Sequence, residues 1–234
     1  MPGVRAVLFD VDGTLYRQSL LRALMAAELA ALPVVNWKRG MRTAQILRRY
    51  RRVHEDLRGL GAADRPLAAY QIARTADELG VDLATAEATV DEWMVRRPLK
   101  YLKWCRRAGL IELLSTLRAR NLQLGVLSDY APQPKLDALE ASQYFSLAIC
   151  TTTSEINALK PHPRGFWRAC DMWGLRPEEV MYVGDRPDVD GEGAMAAGLG
   201  GVLIIERHGQ RGGQRGYTSI RRLDELTRHI GAGH

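Results

Sequence analysis

The spacing of apolar residues divides the chain into three stretches. Residues 4–9 are almost all apolar and include the β-branched Val4 and Val7, which predicts a short buried strand. Between residues 19 and 98 apolar residues recur every three or four positions without any strand-like run, which predicts helices. These predicted helices comprise a segment that ends at Pro33, then 41–60, 67–79, and 84–97 with Pro98 as its stop.

After residue 100, short apolar runs alternate with helical segments. The predicted strands are Leu122–Leu127, Leu147–Thr151, Val180–Val183 and Val202–Ile205, and the predicted helices are 108–120, 133–141, 164–173, 190–198 and 219–230, with an exposed loop at 207–217. This alternation is typical of parallel sheets that helices cover on both faces. We therefore predict an α/β fold, a Rossmann-like doubly wound parallel sheet. Its core domain is predicted to comprise 1–16 and 99–234, and an all-helical domain is predicted to be inserted at 17–98.

Polar residues follow several of the predicted strands. Asp10, Ser128 and Asp185 each lie at the carboxyl end of a strand, and Lys160 lies in the loop after another. In an open parallel sheet, ligands bind outside these carboxyl ends, at the point where the strand order reverses. The four side chains are therefore expected to meet at one edge of the sheet.

These residue types suit phosphoryl transfer. Asp10 and Asp185 offer the hard oxygen ligands that Mg²⁺ prefers, and a carboxylate held ionised beside that ion can attack phosphorus. Asp12 could protonate a leaving oxygen, provided that its neighbours raise its pKa. The Ser128 hydroxyl can hold a phosphoryl oxygen, although it could instead bond its own backbone. Lys160 can neutralise the transferring group, although a surface lysine before a proline is the alternative.

Four motifs, in this order, resemble those of the haloacid dehalogenase-like (HAD) hydrolase superfamily: Asp10-Val-Asp12-Gly-Thr-Leu, Leu127-Ser128-Asp129, Lys160-Pro161-His-Pro163 and Gly184-Asp185-Arg-Pro-Asp188-Val-Asp190. One motif alone is weak, but four in order are a strong signal. The resemblance covers 4–16 and 100–230. The helical insert, 17–98, is similar in position and type to the α-helical cap of the family, and we call it the cap.

The resemblance implies a role for each matching residue. Asp10 would be the nucleophile that forms an aspartyl-phosphate, Asp12 the acid and base, and Lys160 the stabilising cation. Ser128, with its neighbour Asp129, would bind substrate. The implied Mg²⁺ ligands are Asp10, Asp12 through its backbone carbonyl, and Asp185. Asp190 would contact the metal from an outer position or through water, and a helix cap is its alternative role. Asp188 has no counterpart and is expected only to cap a helix.

Within this family, the second aspartate separates the possible reactions. A halide leaves without a proton, whereas an alkoxide gains from a proton donor, so Asp12 favours phosphoester hydrolysis over dehalogenation. A phosphonate hydrolase would need a cap lysine, and residues 17–99 contain only Lys38. A phosphomutase shares every motif seen here and stays an alternative. We therefore predict a phosphatase that acts on a small phosphate ester.

The net charge of +6 is concentrated in one segment of the cap. Residues 38–58 carry eight cationic residues against Glu55 and Asp56. Arg48 and Arg52 share a helix face and are predicted to bind an anionic substrate. A solvated helix face is the alternative, and an inactive scaffold that binds nucleic acid or anionic lipid is another. Few aromatic residues accompany the arginines, which argues against nucleic acid as a partner.

The remaining composition is typical of a soluble globular protein. The three cysteines show no disulfide or metal-ligand spacing, which indicates a reducing compartment. The first strand begins within four residues of the N-terminus, which leaves no room for a signal peptide, and no run is long enough to span a bilayer. We expect a cytoplasmic protein.

Overall fold

The computed structural model describes residues 3–206 and 216–230, without the side chains of 31–36. The strands of the described residues form one sheet in the order β3-β2-β1-β4-β5-β6, and all neighbours pair in parallel. They span Ala6–Phe9 (β1), Gln123–Ser128 (β2), Leu147–Cys150 (β3), Val180–Gly184 (β4), Gly201–Ile205 (β5) and Thr218–Ile220 (β6). The order reverses between β1 and β4, as in a doubly wound sheet. The predicted fold class is confirmed.

The α-helices lie between the strands in the expected alternation. They span Gln18–Arg58 (α1), Leu67–Leu79 (α2), Leu83–Val90 (α3), Arg97–Cys105 (α4), Leu110–Ala119 (α5), Gln133–Ala138 (α6), Arg164–Trp173 (α7), Glu192–Ala196 (α8) and Leu226–His229 (α9). Short π-helical segments occupy Asp91–Arg96 and Pro187–Gly191. No helix of the described residues is long and apolar enough to cross a membrane.

Strand alternation builds two apolar layers. On β1, Val7 and Phe9 face a core formed with α5 and the C-terminal segment. Ala6 and Leu8 face the opposite core, which includes α7 and α8. Because successive side chains on a strand point to opposite faces, both faces of β1 are buried, as a central parallel strand requires. The loop after β1 therefore begins from a rigid, dry support.

Several boundaries differ from the prediction. The helix before Pro98 does not stop there, because the π segment Asp91–Arg96 leads directly into α4 and Pro98 occupies its first turn. A first-turn proline is tolerated because the N–H that it lacks has no required partner at that position. The chain at 218–220 is strand β6 rather than the start of a helix. Three residues are too few to show an alternating pattern.

The helix predicted to end at Pro33 does not end there, because α1 runs without interruption from Gln18 to Arg58. A proline removes one backbone hydrogen bond, but a long helix can continue past that loss. Most of the loop predicted at 207–217 falls outside the described residues, within 207–215. The domain boundary at 98/99 stays a prediction, although α4 runs through it.

Candidate active site

The carboxyl ends of β1 and β4 supply the centre of the site. Phe9 pairs with Val183, and the backbone N–H of Asp10 donates to the Val183 carbonyl over 2.9 Å. Asp185 follows β4 directly, so the side chains of Asp10 and Asp185 leave adjacent strands at nearly the same level. Gly13 turns the loop back with a φ of +100°, and a Cβ there would lie 2.0 Å from Asp185 Oδ2. Only glycine allows this approach.

Three carboxylates converge in this crevice. Asp10, Asp185 and Asp190 are buried, and one oxygen of each lies within 4.8 Å of the others. The Lys160 ammonium donates to Asp10 Oδ1 and to Asp190 Oδ1, each over 2.7 Å. Lys160 is itself only 3% exposed, so its interpretation as a surface lysine is wrong. The structure thus brings Asp10, Lys160 and Asp185 together, as expected of strand ends at one edge of the sheet.

Asp190 is held by partners on both of its oxygens. Oδ1 accepts from Lys160 and, over 2.9 Å, from the Tyr182 hydroxyl. Oδ2 accepts the backbone N–H groups of Asp185 at 3.1 Å and Arg186 at 3.0 Å. These bonds fix the loop that carries Asp185, which fits an outer position beside a metal better than a place among its direct ligands.

The charges of the site fit a divalent cation. The side chains of Asp10, Asp12, Asp185 and Asp190 can carry four negative charges, whereas the buried Lys160 and the neighbouring Lys135 carry two positive ones. Burial, opposed by Lys160 but reinforced by the other carboxylates, raises the pKa of Asp10 well above its ordinary value. A further cation would relieve this repulsion, and an all-oxygen donor set suits Mg²⁺.

Asp12 lies apart from the three-carboxylate cluster. The Lys135 ammonium donates to both of its carboxylate oxygens over 2.6 Å, and the Tyr16 hydroxyl donates to Oδ1. Burial alone would raise the pKa of Asp12, but Lys135 and Tyr16 outweigh it and lower that pKa. The condition that its neighbours raise the pKa is therefore not met in this state. The predicted metal contact through its backbone carbonyl stays a prediction.

Ser128 and Asp129, the two polar residues of the motif that ends β2, have different hydrogen-bond partners. The buried Ser128 hydroxyl oxygen accepts the Tyr130 N–H over 3.2 Å, which leaves its own O–H available. Asp129 accepts from the Thr151 hydroxyl at 2.7 Å and from Arg58 Nη1 at 2.6 Å. Asp129 thus joins β2 to neighbouring elements rather than facing an open cavity, and its predicted contact with substrate stays a prediction.

Arg58, at the end of α1, is a cap arginine that reaches this region. Its Nη1 donates to Asp129 Oδ2 and to the Lys160 carbonyl, both over 2.6 Å. Glu55, one turn earlier, accepts from Arg186 at 2.9 Å. By contrast, Arg48 and Arg52 are exposed on α1. Their role in binding substrate stays a prediction.

Sequence reasoning did not single out Lys135, Tyr182 or Arg58. Lys135 lies in the first turns of the helix that follows the Ser128 motif, so its position after that strand was the available signal. Tyr182 is an inward residue of β4 and looked like ordinary core. Asp188, predicted only to cap a helix, is exposed and pairs with Arg186 at 2.6 Å.

Comparison with known proteins assigns the family. Residues 4–198 match the haloacid dehalogenase-like hydrolases. The chain is 31% identical over 219 residues to the glyceraldehyde 3-phosphate phosphatase of Methanopyrus kandleri, covering 86% of this chain and 84% of the relative. It is 27% identical over 201 residues to the phosphoglycolate phosphatase of Photorhabdus laumondii, covering 79% and 74%. The crystal structure of a HAD phosphatase from Thermococcus onnurineus shares the fold, with a TM-score of 0.67 at 24% identity over 98% of this chain and 99% of that one. With its four motifs assembled around Asp10, the chain belongs to the haloacid dehalogenase-like hydrolase family.

Proposed function

We propose that the protein is a Mg²⁺-dependent phosphatase that hydrolyses a small phosphate monoester through an aspartyl-phosphate on Asp10. The observation that carries the proposal is that two carboxylates on one loop, those of Asp10 and Asp12, have different surroundings. Asp10 lies in the three-carboxylate cluster against Lys160, whereas Asp12 lies outside it against Lys135 and Tyr16. The names of the similar curated proteins, several of them phosphatases, support the same reaction class.

The proposed reaction has two displacements. An Asp10 carboxylate oxygen attacks phosphorus, the bond from phosphorus to the ester oxygen breaks, and Asp12 gives that oxygen a proton. Asp12 then takes a proton from water as the water oxygen attacks phosphorus, which frees Asp10 and releases inorganic phosphate. Lys160 stabilises the charge on Asp10 and the phosphoryl oxygens, and the Ser128 hydroxyl holds one of those oxygens. Asp10 and Asp185 would hold Mg²⁺, which would add positive charge beside the phosphoryl group.

Asp12 must be protonated in the first displacement, although Lys135 favours its ionised form here. A doubly charged phosphoryl group that enters beside Asp12 raises its pKa, because like charges disfavour ionisation. The same group attracts Lys135 away from Asp12. Binding of the substrate would therefore favour the protonated form of Asp12 that the first displacement needs.

The test measures inorganic phosphate released from an aryl phosphate. We expect activity to vanish in excess chelator and return with Mg²⁺, and Asp10→Asn to abolish turnover under all conditions. Asp188→Asn, an exposed acid close by, is the matched control and is expected to keep activity. Full activity in chelator would exclude the metal role, and phosphate transfer between positions of a sugar without release would indicate the phosphomutase instead.

The three free thiols are consistent with the cytoplasm, which we propose as the compartment of this protein.

A further inference from the structure

His54 is a buried histidine of the cap that lies against the end of β2. It belongs to α1, one turn before Arg58, and is only 2% exposed. Its ring stacks on the ring of Tyr130, with the two centroids 4.7 Å apart and the planes 21° from parallel. Ring atom Nε2 lies 3.8 Å from Asp129 Oδ2, the carboxylate oxygen that also accepts from Arg58. The cap therefore presents two side chains, those of His54 and Arg58, to one carboxylate at the end of β2.

The hydrogen bonds of Gln71 fix which ring nitrogen of His54 carries a proton. Gln71 Nε2 donates to the Tyr50 carbonyl over 3.1 Å, so Gln71 Oε1 is the atom that lies 3.1 Å from His54 Nδ1. Because an amide oxygen only accepts, Nδ1 must be the donor. In the neutral ring Nε2 then carries a lone pair instead of a proton. The neutral ring thus turns an acceptor towards Asp129.

This Nε2 atom is buried and has no hydrogen-bond partner among the described residues. A neutral ring would hold two acceptors, Nε2 and the Asp129 carboxylate, opposite each other in a buried region, and an unpartnered buried acceptor costs stability. A protonated ring would instead place an N–H and a positive charge there, in surroundings that screen the attraction less than water does. The 3.8 Å separation is an ion-pair distance, and roughly 0.6 Å of approach would make it a hydrogen bond. Proton uptake at His54 therefore gives Asp129 a second charged contact with the cap.

The charged groups around this contact keep one state between about pH 5 and pH 8, the range in which histidines ordinarily titrate. Burial raises the pKa of Asp129, but His54, Lys160 and Arg58 outweigh burial and lower it, so the carboxylate stays ionised. Arg58 keeps its charge, as arginines in proteins do. Burial lowers the pKa of Lys160, but the adjoining carboxylates, that of Asp10 first, outweigh burial, so this ammonium stays charged as well.

Two tyrosines also border the ring of His54. Burial raises the pKa of Tyr50 to about 12 and that of Tyr130 well above its ordinary value, so both hydroxyls stay neutral over the same range. Any change of charge at this contact near neutral pH therefore occurs on His54.

Asp129 connects this contact to the candidate active site. Its other oxygen, Oδ1, accepts the backbone N–H of Lys160 over 3.2 Å and the Thr151 hydroxyl over 2.7 Å. The Lys160 ammonium in turn donates to Asp10, the proposed nucleophile. Resting on the proposed phosphatase reaction, we propose that His54 is a positioning residue whose protonated ring binds Asp129 and so fixes the Lys160 main chain beside Asp10. Its contribution to activity and stability is then present in acid and lost as the pH rises and the ring loses its proton.

Two replacements separate the proton of His54 from its shape. His54→Gln places a neutral amide N–H near the position of Nε2, where it can donate to Asp129 at every pH. His54→Phe keeps a flat ring against Tyr130 but has no donor. Relative to the unaltered protein, His54→Phe should lower kcat/KM for an aryl phosphate by about tenfold at about pH 5.5 but by about twofold or less at about pH 8.5. The two variants should keep a constant ratio to each other, while the unaltered protein moves from the value of His54→Gln in acid towards that of His54→Phe in base.

Melting temperatures give a readout that does not depend on turnover. The unaltered protein should melt about 2–4 °C above His54→Phe in acid, and this difference should shrink towards about pH 8.5. His229→Gln is the matched control, because it removes the imidazole of a histidine in α9, outside this cluster. The control should follow the unaltered protein in both rate and melting temperature at every pH.

Nitrogen NMR of the five histidines tests the proton directly, with the signals of His54 identified by their absence in His54→Gln. In base His54 should carry a proton on Nδ1 alone, and in acid on both nitrogens. A proton on Nε2 alone in base, or a rate ratio between His54→Phe and the unaltered protein that does not vary with pH, would overturn the positioning role and leave the phosphatase proposal intact. Failure of the unaltered protein to release phosphate with Mg²⁺ at any pH would overturn the proposed function itself, and the NMR and melting temperatures would then decide the contact between His54 and Asp129 on their own.

Discussion

Replacement of Gly13 by alanine tests the assignment of Asp185 as a metal ligand. The added Cβ would lie 2.0 Å from Asp185 Oδ2, whereas real Cβ contacts begin at about 3.0 Å. The Asp185 carboxylate or the Gly13 backbone must therefore move by roughly 1 Å. Metal–ligand distances hold to within about 0.2 Å, so a displacement of this size takes Asp185 out of coordinating position.

Two separate costs follow. The φ of +100° at Gly13 is unfavourable for any residue with a Cβ, at about 1–2 kcal/mol of stability. The displaced carboxylate should weaken Mg²⁺ binding by at least the 10- to 100-fold that is typical when an outer partner of a metal ligand is lost. The first cost acts on folding and the second on the metal, so different measurements separate them.

The assay is a Mg²⁺ titration of phosphate release, together with calorimetric titration of the metal and thermal unfolding. Gly109→Ala is the control, because Gly109 also has a positive φ (+76°) but nothing lies within 4 Å of the added Cβ. We expect Gly109→Ala to lower the melting temperature without changing the Mg²⁺ midpoint. Gly13→Ala should raise that midpoint strongly. Equal midpoints in the two variants would refute the role of Asp185 in holding the metal.

Two further predictions concern Asp12 and Arg58. Asp12→Asn should slow hydrolysis of an alkyl phosphate by about 10²- to 10⁴-fold but affect nitrophenyl phosphate far less, because nitrophenolate leaves without a proton; equal defects in the two rates would show that Asp12 is not the acid. Arg58→Met should lower the free energy of unfolding by about 3 kcal/mol at pH 7, because it removes the closest cationic partner of the buried Asp129 carboxylate. Burial raises the pKa of Asp129, but His54, Lys160 and Arg58 outweigh burial and hold that pKa well below its usual range. The ionised Asp129 carboxylate therefore stabilises the fold above its unfolded pKa of about 3.9, and this stabilisation is lost as the pH falls through the folded pKa. The difference in stability between the two proteins, measured by denaturant unfolding, should therefore narrow in acid, and a difference independent of pH would assign the loss to packing.

The sequence was sufficient for features that depend on strand ends. Asp10, Lys160 and Asp185 lie far apart along the chain, yet each follows a strand of one parallel sheet, and that geometry alone brings them together. The ionisation of Asp12 could not be inferred in this way. It depends on Lys135, which lies 123 positions away and approaches only through the packing of α6 beside the β1 loop.

The cap illustrates the same limit. A helical wheel shows that Arg48 and Arg52 share a face, but not which face the core covers. That choice depends on where Val53 and Leu57 pack, here against Leu67 and Leu159. The packing carries Arg58 to Asp129 and leaves Arg48 and Arg52 in solvent. Likewise β6 depends on its pairing with β5, which three residues cannot encode in their own pattern.

Arg58 connects the cap to the backbone of the candidate active site. One guanidinium nitrogen joins the end of α1 to the Asp129 carboxylate and to the carbonyl of Lys160, the residue whose ammonium donates to the proposed nucleophile, Asp10. Both bonds start from the same nitrogen, so one side chain holds the end of α1 against the Asp129 carboxylate and against the Lys160 backbone. The cap and the strand-end loops of the core are therefore joined directly beside Asp10.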